Sequence, residues 1–115
     1  MKHIGEFKQK LLKINNQVNQ NLYGRGLVWQ KIDIIEDRII IVAENIRIPV
    51  LAKIDDKNAF TTRLMDLALL NEFKIRLREE FENNFPYKIK SVMKDYDPKA
   101  QLAATIIILE SPLEI

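Results

Sequence analysis

Cysteine does not occur in this sequence, so disulfides, thiolate metal centres and cysteine nucleophiles are excluded by inventory. Histidine occurs once, at His3 beside a terminus, and neither a Ser-His-Asp triad nor a histidine metal site is expected. Glycine is scarce, three residues in 115, which leaves Gly24-Arg25-Gly26 as the one short stretch that could cradle a phosphate. Dinucleotide and P-loop motifs put their glycines after a strand and before a helix, and here the order is helix, glycines, strand. Gly24 and Gly26 are therefore assigned to a structural turn. Charge of one sign is not in excess: 18 Lys and Arg face 16 Asp and Glu, a weak pull on any polyanion. No uninterrupted apolar run opens the chain. The opening MKHIGEFKQKLLKI alternates charge with apolar residues, so neither a secretion signal nor a membrane span is expected, and a cytoplasmic location follows.

What is present is ordinary globular composition, 47% apolar and 30% charged, enough for one domain over residues 1–115 with a real core. Residues 5–22 carry Phe7, Leu11, Ile14, Val18 and Leu22 at steps of three and four, one apolar stripe of a helix. After the glycine turn, two strands meet at Glu36-Asp37. A two-residue loop there pairs Ile34 with Ile39 and Ile32 with Ile41, and puts Val28, Ile32, Ile34, Ile39, Ile41 and Ala43 on one core face with Gln30. Trp29, Lys31, Asp33, Ile35, Ile40, Val42 and Glu44 take the mixed face.

Pro49 can open a single helical turn, PVLAKI, and Asp55-Asp56-Lys57-Asn58 offers turn and cap residues. A long helix follows from about Ala59 to Asn83. Leu67, Leu70, Leu77 and Phe81 share one side, and Met65 and Leu69 occupy the other in its N-terminal half, which is apolar nearly all round and needs cover on both sides. A third strand, Tyr87 to Lys94, is expected to turn Ile89 and Met93 one way and Lys88, Lys90 and Lys94 the other. Asp95 to Lys99 is a turn built on Asp97 and Pro98, and LAATIIILE is the fourth strand. The order α-β-β-α-β-β predicts an α+β two-layer sandwich: a four-stranded antiparallel sheet with two helices on one face, in strand order first, second, fourth, third. That order is a circularly permuted ferredoxin-like arrangement, with the lysine-bearing strand at an edge.

Candidate binding residues follow from this layout. Asp66 lies on the apolar side of the long helix, where a carboxylate needs a partner; Arg63 or Arg25 could supply one in a structural ion pair, and Arg25 with Asp66 could instead be the polar contacts of a small-ligand regulatory site. Lys31, Lys88, Lys90 and Lys94, with Trp29 and Tyr87 as stacking aromatics, could form a face for single-stranded nucleic acid, which Asp33 and Glu44 dilute. Asp95 and Asp97, or Asp55 and Asp56, lack the further ligands of a calcium loop, so turn and cap duties are expected of them and no metal or cofactor.

Helix, Tyr23-Gly24-Arg25-Gly26, two strands, a long helix, a strand, Lys94-Asp95-Tyr96-Asp97-Pro98 and a last strand ending Leu109-Glu110 together resemble the MpsC-like family of small bacterial domains. That family takes its name from a proposed sodium-translocating, membrane-potential-generating system. Leu27 stands where the family usually has proline, and Arg47-Ile48-Pro49-Val50 where it has Leu-Thr-x-x-Glu, which marks a divergent member. The resemblance implies an accessory to a membrane ion-transport system. With no reactive set of side chains in view, the expected function is a non-enzymatic interaction domain acting as a homodimer.

Overall fold

Helix α1 spans Ile4–Tyr23 in the computed structural model, which describes residues 3–114, and its stripe Phe7, Leu11, Ile14 and Val18 is buried as the spacing requires. Gly24 ends it. At φ 80° this residue is left-handed, a conformation that costs glycine little, and its N–H donates to the Gln20 carbonyl at 3.0 Å. Gly26 is needed for a different reason: a Cβ there would stand 2.9 Å from Asn16 Oδ1, which accepts the Leu27 N–H at 2.8 Å.

Strands β1 (Trp29–Ile35) and β2 (Arg38–Glu44) form the first hairpin, with Ile34 opposite Ile39 and Ile32 opposite Ile41. The two-residue loop is made possible by Glu36, which takes φ 56°. Strands β3 (Ile89–Asp97) and β4 (Leu102–Leu109) form the second, and the antiparallel order is β1-β2-β4-β3. The two aliphatic strands lie side by side in the centre. The fold is thus an α+β two-layer sandwich, with α1 and the long helix α3 (Ala59–Asn84) on one face of one sheet.

The core is the layer between them. Phe7, Leu11 and Val18 of α1 and Phe73, Leu77 and Phe81 of α3 meet Ile39, Ile41 and Ile107 of the central strands, and all are buried. At one end Phe7, Phe81, Phe85 and Tyr87 form an aromatic cluster with ring centroids 4.7–6.2 Å apart. At the other end the layer is polar, because Ala43 and Ala103 leave a hollow between Gln30 and Tyr96 in the same row of the sheet. Asn15 and Asn19 of α1 fill it: Asn15 Nδ2 donates to Gln30 Oε1 at 2.9 Å and Asn45 Nδ2 donates to Asn19 Oδ1 at 3.2 Å.

Three expectations are corrected here. PVLAKI is more than a single turn: α2 runs Pro49–Asp55 and packs on α3, making a third helix. Leu67, expected on the core side, is 54% exposed, and Val28 likewise 54%. Length explains Leu67. Twenty-six helical residues span about 39 Å whereas nine strand residues span about 30 Å, so the N-terminal turns of α3 run past the sheet. Val28 precedes β1, beyond the helical roof.

Candidate functional site

The polar end of the core layer is where α1 finishes, β2 gives way to α2, α3 passes over and β3 ends. Arg47 is its centre. The turn between β3 and β4 fixes its backbone: Gln101, at φ 57°, accepts the Asn45 N–H on its carbonyl at 2.8 Å and the Arg47 N–H on Oε1 at 2.7 Å. The guanidinium, 7% exposed, forks onto Asp55 through Nε to Oδ2 at 3.0 Å and Nη2 to Oδ1 at 2.8 Å, and reaches Asp66 Oδ1 through Nη1 at 2.6 Å. One cation thereby ties α2 to α3. The bond from Arg47 holds the Asp55 carboxyl below the usual carboxylate range.

Around this pair stand two tyrosines. Tyr96 donates its hydroxyl to the Asn45 carbonyl at 2.7 Å, and its ring centroid is 5.8 Å from Arg47 Cζ. Burial pushes the Tyr23 hydroxyl up to about 12, helped by the charge of Asp66, and burial does the same for Tyr96, also to about 12. Tyr23, Asn45, Arg47, Asp66, Leu70 and Tyr96 enclose a cavity of about 10 Å³, the size of one water molecule. The guanidinium–carboxylate bonds hold the cluster's charges to one another, and Arg47, Asp55 and Asp66 also border a more open hollow of about 280 Å³.

Lys94 lies beside it and is turned inward, a correction to the expected strand face. Between Ile89 and Ser91 the pairing of β3 with β4 slips by one residue at a bulge, so Val92, Lys94 and Tyr96 face the helices and Met93 faces out. Lys94 Nζ sits 3.2 Å above the Phe73 ring centroid and 5.5 Å from that of Tyr23. No carboxylate is paired with it among the described residues, and burial lowers its pKa to about 7.

The other candidate residues are scattered. Lys88 and Lys90 are exposed at the start of β3, while Trp29 lies on β1, the opposite edge of the sheet, with Nε1 donating to Glu44 Oε1 at 2.9 Å. The three lysines and the tryptophan do not share a face. Arg25 is exposed, and Asp66 pairs with Arg47 rather than with Arg25 or Arg63. Asp97 Oδ1 accepts the Lys99 and Ala100 N–H groups at 3.0 and 3.2 Å and so shapes the turn at Pro98. Sequence reasoning missed Arg47. Its signal was a lone charge between Ile46 and Ile48 just before Pro49, in a segment too irregular to assign a face. Among the described residues no helix is long and apolar enough to cross a membrane.

Comparisons with protein-family models, with curated proteins and with solved structures found no match.

Proposed function

We propose that the chain is a non-enzymatic interaction domain that works as a homodimer. One observation carries the reading: there is more apolar surface than the three helices and the sheet cover among themselves. On α3 the outward residues Phe60, Leu64, Leu67 and Ile75 are more than half exposed, and on β2 and β4 the outward Ile40, Val42, Ile106 and Ile108, though part-buried, are aliphatic with none of the described helices above them. Charged residues, Lys31, Asp33, Arg38 and Asp95, rim this patch. An apolar centre inside a charged border is the anatomy of a protein contact surface. The pairing within the Arg47 cluster supports a contact role over a chemical one, since Asp55 gives both carboxylate oxygens and Asp66 gives Oδ1 to the guanidinium. The MpsC-like resemblance adds a setting, the accessory part of a membrane ion-transport system, where a folded domain serves by contact.

Sedimentation equilibrium is the test. At tens of micromolar the protein is expected at twice its monomer mass, falling toward the monomer on dilution. A monomer throughout the micromolar range would remove the homodimer.

A further inference from the structure

We infer that two copies of this chain join edge to edge, β3 pairing antiparallel with β3 of the second copy while the outer stripe of α3 packs along the same helix of that copy. This rests on the self-association proposed above and says which surface makes it.

The first ground is the backbone. Asn45 donates its N–H to the Gln101 carbonyl and Leu109 donates its N–H to the Asp37 carbonyl, so odd-numbered residues of β4 bond toward β2 and even-numbered ones toward β3. Through the register of β4 with β3, residues 91, 93, 95 and 97 of β3 bond inward. Val92, Lys94 and Tyr96 then present their N–H and C=O groups to the outside edge. Among the described residues the Tyr96 N–H is met only by the carboxylate of its neighbour Asp95, at 2.8 Å. A strand added there would satisfy these groups.

The second ground is that the helix above the edge is apolar on the same side. Phe60, Leu64 and Leu67 are 75%, 53% and 54% exposed, and they line an open groove of about 730 Å³ whose other wall is the end of β3 at Asp95–Asp97. Ile75, 54% exposed, continues the stripe beside Val92. Helices pack at 8–10 Å and strands at about 4.8 Å, so closing the strand gap also brings the two stripes together.

Charge chooses the occupant. β3 is cationic where it starts, at Lys88 and Lys90; at Ile89 between them Arg78 Nη2 donates to the carbonyl at 2.6 Å and Glu82 Oε2 accepts the N–H at 2.9 Å, so those two charges offset each other. It is anionic where it ends, at Asp95 and Asp97. A parallel neighbour of the same sequence would set like against like. An antiparallel two-fold sets each cationic start against the anionic end of the other copy, twice per dimer, so a second copy of this chain matches the edge by symmetry alone. The lysines that protect this edge from indiscriminate pairing thereby select one partner in one direction.

Two exposed-charge variants test the geometry. Asp95→Lys removes the anionic excess at the end of β3 and leaves the cationic start unopposed, and Lys88→Glu with Lys90→Glu makes both ends anionic. Each variant alone is expected to dissociate at least about 30-fold more readily than the parent chain in sedimentation equilibrium, and an equimolar mixture of the two is expected to recover a heterodimer. Leu64→Glu is expected to give a monomer with unchanged circular dichroism. If the parent dimerises but these variants dimerise equally well, while Val42→Lys with Ile106→Glu abolishes the dimer, the edge is wrong and self-association stands. A monomeric parent chain would overturn both.

Discussion

Replacing Arg47 by methionine is expected to cost about 3–5 kcal/mol of folding stability, read from urea unfolding followed by circular dichroism. The side chain is buried and, among the described residues, is the only cation bonded to Asp66, at 2.6 Å, so its removal strands a carboxylate between α3 and the sheet. Asp55, nearer to solvent, is rehydrated more easily. Removing both charges separates the two effects. The pair Arg47→Met with Asp66→Leu is expected to recover more than half of the loss, because breaking a buried pair is costly whereas deleting it is not. A single-variant cost below about 1 kcal/mol would mean that water already serves these carboxylates. The acid limb follows from Asp55. Its carboxyl is held below its ordinary value of 3.8 by Arg47, so the contribution is present above that value and is lost as pH falls through the folded one. Arg47→Met should abolish that part of the acid sensitivity.

Replacing Lys94 by methionine is expected to act in the opposite direction, stabilising the fold by about 2–3 kcal/mol at pH 6–7 and by almost nothing near pH 10. Burial lowers the amine from 10.5 to about 7, so between those values the unfolded chain binds more protons than the folded one and stability rises with pH. Below about 7 the ammonium is buried at full cost. The shift corresponds to at most roughly 5 kcal/mol, and cation–π attraction to the Phe73 ring face, 3.2 Å from Nζ, offsets about 2 of these and moves the amine's pKa back up in proportion. Tyr23 and Tyr96 work the other way. Their pKa values are raised to about 12, so stability falls once the unfolded tyrosines ionise above about 10. The parent chain should therefore be most stable near pH 9–10, and Lys94→Met should lose the rising limb while keeping the fall. Denaturation midpoints at pH 6, 8 and 9.5 check this; a variant that is less stable than the parent at pH 6 would show that the ammonium is favourably held.

The sheet was legible because its centre is written twice, in Ile39-Ile40-Ile41-Val42 and Thr105-Ile106-Ile107-Ile108. Runs apolar on both faces can only be central, and the short loop at Glu36-Asp37 then sets the first register. Parity carries as far as the first irregularity. The bulge after Ile89 reverses which side of β3 each residue faces, and nothing in Ile89-Lys90-Ser91 distinguishes a bulge from a straight strand. Lys94 and Met93 were accordingly expected on each other's faces. Asp66 was readable as a carboxylate in need of a cation, because its helical neighbours are leucine and phenylalanine. Its partner was not readable: Arg47 is brought in by Gln101 from the far end of the second hairpin, a contact that spans 54 positions. The apolar surplus of α3 could be seen in Met65, Leu67 and Leu69, but which residues stay uncovered depends on where the sheet stops beneath the helix.

Amide hydrogen exchange along β3 tests the central claim most directly. Residues 91, 93 and 95 bond to β4 in the monomer and should exchange slowly at any protein concentration. At tens of micromolar the Val92 and Lys94 amides should be as slow as these neighbours, and dilution below the dissociation constant should release them while the odd-numbered amides stay protected. Rapid exchange at Val92 and Lys94 at every concentration would contradict the account, since it would leave the edge of β3 open to water in the associated protein.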